Sequence, residues 1–299
     1  MFYRLLCPFD ARRLDEAIPS KSVHLTVTSP PYYNPVGFVS FSTNETDKLV
    51  ADLSRIQNRK EFFKELGKVW RKVYEVTVPG GYLVVNYADL AAAKEDIYGY
   101  YREICTVGDL VKSVEDTGFY LISQIIWEKF DQGAVINLAP YKTYRNLKVR
   151  DPSVFRNWEY VLVFKRYGKR ERELDLTERE WKEWNCGIWR IYKKKGEELD
   201  WADVGLVEKG EEYGQGRLKF APSFPVELPE RCIKIWSSKG DVVLDPFLGT
   251  GTTMLAAKKL GRSCIGVEVH EAMKEVIKRK VEWGSPAYTL TGEKIEWIE

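Results

Sequence analysis

The stretch "GDVVLDPFLGTGTTMLAAKKLGRSCIGVEV", residues 240–269, constrains the fold more than any other part of the 299-residue chain. An apolar strand over 242–244 runs into an acidic, glycine-rich turn at 245–251. A helix over about 252–260 follows, stopped by Gly261, and a second strand over 263–267 ends at Glu268. The same alternation recurs upstream. "KEFFKELGKVWRKVYEV" places Phe62, Leu66, Val69 and Val73 at helical spacing, and "PGG" ends that helix before the strand "YLVVN". "DLVKSVEDTG" reads as a helix from an Asp109 cap to a Gly118 stop, followed by the strand "FYLISQIIW". "FYRLLC" before Asp10, "VHLTV" before "TSPPYYN", and "WEYVLVFKR" are further buried strands. Strands alternating with helices predict an α/β chain with a mostly parallel sheet and helices on both faces.

The turn at 245–251 has the chemistry of a ligand site. Gly249 and Gly251 let a ligand approach the backbone, and the helix N-terminus offers free N–H groups. Glu268, nineteen residues after Gly249, can hold ribose hydroxyls. The alternative is a tight connection with no ligand. A dinucleotide site needs a third glycine where this chain has Met254, which argues against NAD or FAD. Asp245 suits a ligand with an ammonium group better than one with a pyrophosphate, and S-adenosylmethionine fits that description.

The loop "VTSPPYYN", residues 27–34, is the second unusual element. Two consecutive prolines supply no N–H, fix their own φ angles and push the preceding residues into extended geometry, so the loop is stiff and offers acceptors beside two aromatic rings. Such a loop is either a structural stop after a buried strand or a rigid platform for a flat polar ligand. Residues 36–58 mix Gly, Ser and Asn without a period and predict an irregular segment suited to a lid.

Lys and Arg total 46 against 44 Asp and Glu, a formal charge of +2, so affinity for an anionic polymer must come from local patches. Five cysteines stand at least 32 positions apart and only His24 and His270 could supply imidazole; no zinc site or disulfide framework is expected, and no metal. The N-terminus "MFYRLLCPFDARRLDE" becomes charged too soon for a signal peptide, and no run approaches the length of a membrane span. An intracellular, soluble, cytoplasmic protein is expected. Residues 165–195 hold eleven Lys or Arg against six Asp or Glu, with Trp181, Trp184 and Trp189 interleaved. That stretch is either a solvated insertion with a small satellite core or a nucleic-acid surface.

The "DPFxGxGT" turn combined with the "SPPY" loop resembles the amino-methyltransferases that modify N4 of cytosine or N6 of adenine in DNA. The order "TSPPYYN", basic insertion, "FPVELPER", "DPFLGTGTT" resembles the circularly permuted β group of that family. "PGGYLVVN", "IIWEK" and "NWEYVLVFK" fall where the family keeps its middle strands, so the resemblance covers nearly the whole chain. The exceptions are the insertion and the segment after the proline loop. It implies a Rossmann-like S-adenosylmethionine-dependent methyltransferase fold with a seven-stranded sheet. Residues 1–165 and 218–299 would form the catalytic and cofactor-binding domain, and 166–217 an inserted target-recognition region in which Lys193, Lys194 and Lys195 bind DNA.

By the same resemblance Asp245, Phe247, Gly249, Thr250 and Gly251 line the methionine end of the cofactor, Glu268 holds the ribose, and Asp10 either meets the adenine or merely caps the following turn. Thr28, Pro246, Thr252 and Phe224 are their neighbours. An exocyclic base amine is a poor nucleophile because its lone pair is delocalised into the ring. Acceptors at the Ser29 hydroxyl and the Pro30 carbonyl draw it toward tetrahedral geometry, Pro31 helps keep them fixed, and Tyr32 stacks on the base. The partner is double-stranded DNA with its target base flipped out. A cognate restriction endonuclease sharing the site is the protein partner the family admits; the sequence is silent on it and on oligomeric state. Ser before the two prolines favours N4 of cytosine, whereas Asp or Asn there goes with N6 of adenine. A nucleic-acid-binding protein that kept the fold but lost catalysis and an RNA base-amine methyltransferase are the rivals, with a nicotinamide oxidoreductase a distant third.

Overall fold

Apolar side chains project to both sides of the central strands, so the chain builds two cores about one sheet. A computed structural model describes residues 1–33, 52–92, 102–129, 157–192, 223–289 and 292–299. Its strands are β1 (Phe2–Leu6), β2 (Val23–Thr28), β3 (Thr77–Tyr87), β4 (Leu90–Ala92), β5 (Arg102–Ile104), β6 (Phe119–Glu128), β7 (Trp158–Arg166), β8 (Ile188–Arg190), β9 (Val242–Asp245), β10 (Ser263–Val267) and β11 (Glu296–Ile298). Nine of them form one sheet in the order β11-β1-β10-β9-β2-β3-β7-β6-β8, and β4 pairs with β5 alone. Every pairing in the large sheet is parallel except the two made by β7, which runs against β3 and β6. The sheet is thus mixed and mostly parallel, with nine described strands where seven were expected. The additions, β8 and β11, are three residues each and lie at the two edges, too short to show a period in the sequence.

On β3, Tyr82 and Val84 enter one core while Leu83, Val85 and Tyr87 enter the other; Val243 and Leu244 divide likewise on β9. Helix Arg59–Val76 covers the second face. Asn58 caps it by accepting from the Glu61 N–H at 3.1 Å, and Phe62, Leu66, Val69, Trp70 and Val73 are fully buried. Each contributes about 1.5–3 kcal/mol of burial. Helix Val107–Glu115 packs beside it. Its cap position is Thr106, and Asp109, expected to cap it, lies in the first turn and accepts from Arg59 Nε at 2.7 Å. The segment "PGG" also differs from expectation, because β3 runs straight through it. Helices Glu227–Trp236, Thr252–Lys259 and Lys274–Val281 cover the first face through Leu228, Cys232, Met254, Ala256 and Ile277.

The described part of the expected insertion, 166–192, is built into this framework. Trp189 is fully buried in the main core rather than in a satellite one, whereas Trp181 is exposed. Asp175 pairs with the fully buried Arg262, Arg170 with Asp241, and Lys234 with Glu180. Lys193, Lys194 and Lys195 lie outside the described residues, as does most of the expected lid. Among the described residues no helix is long and apolar enough to cross a membrane.

Candidate active site

Strands β2 and β9 are parallel neighbours, pairing Leu25 with Val243 and Thr26 with Leu244. Their C-terminal ends therefore bring the proline loop and the glycine turn side by side, the usual place for a ligand in an open α/β sheet. The join is covalently distant but tight: Thr28 Oγ1 donates to Asp245 Oδ1 at 2.6 Å. Thr253 Oγ1 donates to Oδ2 at 2.6 Å and the Phe247 N–H to Oδ1 at 3.0 Å. Burial pushes the Asp245 carboxyl up to about 6 against these three hydrogen bonds, which favour the ionised form.

Gly249 and Gly251 sit at φ +55° and +89° in the left-handed region, which suits glycine alone without strain. The side chain of Glu268, at the end of β10, closes the turn from the other side. Its Oε2 accepts from the Gly249 N–H at 2.9 Å and its Oε1 from the His270 N–H at 2.9 Å. Burial raises its pKa. Lys280 Nζ donates to the hydroxyls of Thr250 at 2.9 Å and Thr252 at 2.6 Å, beside the N-terminus of helix Thr252–Lys259.

A cavity of about 140 Å³ opens between these elements, lined by Phe9, Pro31, Phe247, Gly249 and Glu268. A dry cavity of about 150 Å³ accommodates a benzene ring, so this one has room for a single flat ring, with Phe9 and Phe247 among its walls. A Cβ built on Gly249 meets nothing nearer than the Phe247 carbonyl at 4.0 Å, which leaves that side of the turn open to a ligand. Asp10 and Pro246 also line the cavity. The Asp10 carboxylate, however, is held by Arg12, whose backbone N–H reaches Oδ1 at 2.9 Å and whose Nη2 reaches Oδ2 at 2.8 Å; it caps the short helix Ala11–Arg13. Thr28, Asp245, Thr250, Gly251 and Thr252 belong to the same strand ends and turn but are not among the residues that line the cavity. Phe224 packs against the core of the opposite face and is not brought to it.

Beyond Pro31 the loop enters a polar cluster. Ser29 Oγ lies 3.5 Å from the Tyr32 hydroxyl, which donates to Glu159 Oε2 at 2.9 Å. Asn86 Nδ2 donates to the same Oε2 at 2.9 Å, and Lys129 Nζ to Oε1 at 2.5 Å. The Tyr32 ring packs on Tyr87, centroids 4.7 Å apart. Burial, reinforced by the Glu159 charge, holds the Tyr32 phenol well above its ordinary pKa, so it keeps its proton.

A family model for DNA methylases of the N6/N4 type matches residues 23–279. The chain belongs to the N6/N4 DNA methylase family. The type II methyltransferase M.MjaI of Methanocaldococcus jannaschii is 31% identical over 298 residues, covering 91% of this chain and 89% of the relative. A Thermus thermophilus protein described as a DNA modification methylase, solved with S-adenosyl-L-methionine, aligns at a TM-score of 0.68 and 27% identity over 99% of this chain and 98% of that one. The PvuII cytosine-N4-specific DNA methyltransferase shares the fold, with a TM-score of 0.60 at 18% identity over 99% of this chain and 96% of its own.

The sequence motifs did not single out Phe9, Asp52, Ser54 and His270 at the cavity of this DNA methylase, nor Asn86, Lys129 and Glu159 around Tyr32. Only Glu159 carried a signal. A lone acidic residue opening an otherwise apolar strand needs a partner when that strand is buried on both faces.

Proposed function

We propose that the protein transfers a methyl group from S-adenosylmethionine to the exocyclic N4 of a cytosine flipped out of duplex DNA. The observation that carries the reading is that Pro31 and Gly249 line one cavity: the acceptor loop and the nucleoside-binding turn converge at the ends of adjacent strands. When bound, the cofactor supplies an activated methyl group on a sulfonium, and its carbon–sulfur bond breaks as the carbon–nitrogen bond forms. The chain supplies position and polarity. In this reading Glu268 meets the ribose hydroxyls, and Phe9 and Phe247, which line the same cavity, contact a ring of the nucleoside. Asp245, at the start of the turn, sets its charge toward an ammonium group. Ser29 and the Pro30 carbonyl accept the two amine N–H bonds of the target base, and the amine releases one of these protons to solvent once it carries the methyl group.

Ser29 ahead of the two prolines favours cytosine; N6 of adenine is the alternative, since the same two acceptors fit either amine. The late position of the glycine turn, after the "SPPY" loop in the chain, supports the permuted order of the β group, and residues 166–217 are the region we assign to target recognition. The type II relatives suggest a role beside a restriction endonuclease of the same specificity. The test is incubation with methyl-labelled S-adenosylmethionine and mixed-sequence duplex DNA, digestion to nucleosides and mass spectrometry, with transfer RNA in parallel. N4-methylcytosine is expected from DNA. N6-methyladenine would overturn the choice of base, and label in RNA alone would overturn the substrate.

A further inference from the structure

We propose that Glu159 sets the direction of the hydrogen bonds at the base pocket, so that Ser29 presents acceptors only and the site selects an amine over a carbonyl. The inference rests on the reading of Ser29 as the residue that meets the target base. Among the described residues the Tyr32 hydroxyl has three polar neighbours: Glu159 Oε2 at 2.9 Å, Asn86 Oδ1 at 3.3 Å and Ser29 Oγ at 3.5 Å. Two of the three can only accept. A carboxylate has no proton to give, and the Asn86 amide is oriented by donating Nδ2 to Glu159 Oε2 at 2.9 Å and to the Tyr160 carbonyl at 3.1 Å, which turns its oxygen toward the phenol. The single phenolic proton therefore points at Glu159 and Asn86, and the phenol oxygen is left to accept. The Ser29 proton is directed there, so both lone pairs of Ser29 Oγ face the ligand.

Pro30 and Pro31 add no N–H to this edge. An exocyclic amine brings two N–H donors to it and is matched. A carbonyl at the same ring position, as in uracil or hypoxanthine, brings lone pairs against lone pairs and leaves buried acceptors unpaired. Lys129 Nζ donates to Glu159 Oε1 at 2.5 Å, which occupies the oxygen turned away from the phenol. The fold delivers all four groups to one end of the sheet: β7 runs against β3 and β6, so its first residues lie beside Asn86 and beside the end of β6, from which Lys129 follows. Glu159 acts through Tyr32 and is a positioning residue.

The test compares wild type with Glu159→Gln and Tyr32→Phe. Each is given duplexes in which the target nucleotide stands opposite an abasic position, so that its pairing strength drops out. The target base is the amine identified by product analysis or its oxo counterpart: cytosine against uracil, or adenine against hypoxanthine. Wild type is expected to bind the amine duplex at least about tenfold more tightly. Glu159→Gln puts an amide donor beside the phenol, allowing the chain of hydrogen bonds to reverse, and Tyr32→Phe frees the Ser29 proton. Both are expected to lose most of that preference and to slow single-turnover methyl transfer by about tenfold or more, with S-adenosylmethionine affinity unchanged. A fall in affinity for both duplexes by the same factor, as lost packing would produce, overturns the inference. Absence of methyl transfer by wild type overturns the reading of the site itself, whereas transfer with an unchanged preference in both variants overturns this inference alone.

Discussion

His270 Nε2 stands 3.5 Å from Asp52 Oδ2, and both residues line the cavity that also meets Glu268 and Gly249. Burial works against the Asp52 charge, but hydrogen bonds from His270 and Ser54 outweigh it and bring the carboxyl down to about 2. His270 responds in the opposite sense: the hydrogen bond to Asp52 raises its pKa, burial opposes that, and the Glu268 charge adds to the rise. A histidine raised on folding stabilises fully below its unfolded value near 6.5 and loses the contribution as pH climbs through the raised value. The lowered carboxyl stabilises above about 4 and loses its contribution as pH falls through about 2. The pair is complete between about pH 4 and 6.5. Wild type should exceed His270→Asn in thermal midpoint by roughly 2–4 °C there, corresponding to about 1 kcal/mol. The difference should disappear at alkaline pH, and a constant difference from pH 5 to 9 would show that the charge on His270 is irrelevant.

Asp245 predicts a pH dependence of a different kind, in ligand binding. With the carboxyl pushed up to about 6 in the free protein, an approaching ammonium group must first displace a proton at acid pH. Affinity for S-adenosylmethionine should therefore rise between pH 4.5 and 6.5, by up to about tenfold per unit, and level off above. Asp245→Asn should keep the fold, since the Thr28 and Thr253 hydroxyls can rotate to suit an amide, and should bind weakly with no slope across that range. Calorimetry in two buffers of different ionisation enthalpy reads the proton directly; no proton release by wild type at pH 5.5 contradicts the assignment.

The two glycines of the turn should separate ligand binding from stability. Alanine at either position pays for the left-handed backbone, about 1–2 kcal/mol. At Gly249 the added methyl meets only the Phe247 carbonyl at 4.0 Å, whereas at Gly251 it comes within 3.3 Å of Ile277 Cγ2 and 3.5 Å of Val281 Cγ1. Gly249→Ala should thus lower S-adenosylmethionine affinity by about tenfold or more with a modest loss of thermal midpoint, because Gly249 lines the cavity. Gly251→Ala should show the larger loss of midpoint, as Ile277 must shift to admit the methyl. Scanning calorimetry beside titration calorimetry checks the pair, and equal losses of stability would remove the steric distinction.

What the sequence made legible was contiguous. The strand, turn, helix and strand of 240–269 form as expected, and "WEYVLVFKR" is β7 to the residue, because apolar runs and glycine turns act within a few residues of themselves. The Asp10 cap was legible for the same reason: Asp10 and Arg12 are two positions apart. The polar cluster at Tyr32 was not. Its members, Ser29, Asn86, Lys129 and Glu159, come from separate parts of the chain and meet through the parallel register of β2 with β3 and the antiparallel register of β7 with β3 and β6, which no local pattern specifies. Neither alternative weighed for residues 165–195 put Trp189 in the main core, because β8, the three-residue strand that carries it into the sheet, has no periodic signature.

The clearest stability prediction lies at the seam between the expected insertion and the sheet. Arg262 is fully buried, and its guanidinium meets Asp175 through Nη1 to Oδ2 at 2.8 Å and Nη2 to Oδ1 at 2.5 Å. The same group donates to the Leu260 carbonyl at 2.7 Å and the Ser237 carbonyl at 3.2 Å, so its hydrogen bonds are met while its charge is balanced chiefly by Asp175. Removing the carboxylate leaves a cation with no counter-charge in the interior, a change that costs about 3–5 kcal/mol when both partners are buried. Asp175 keeps a quarter of its side chain exposed, which lets water reach the gap and places the expected loss for Asp175→Ala near the lower end, about 3 kcal/mol. Asp175→Asn should recover part of it by keeping a hydrogen-bonding oxygen without the charge. Urea unfolding of the three proteins checks the order wild type, Asn, Ala. A midpoint for Asp175→Ala equal to wild type would mean that residues 166–192 are not held to the sheet through this pair.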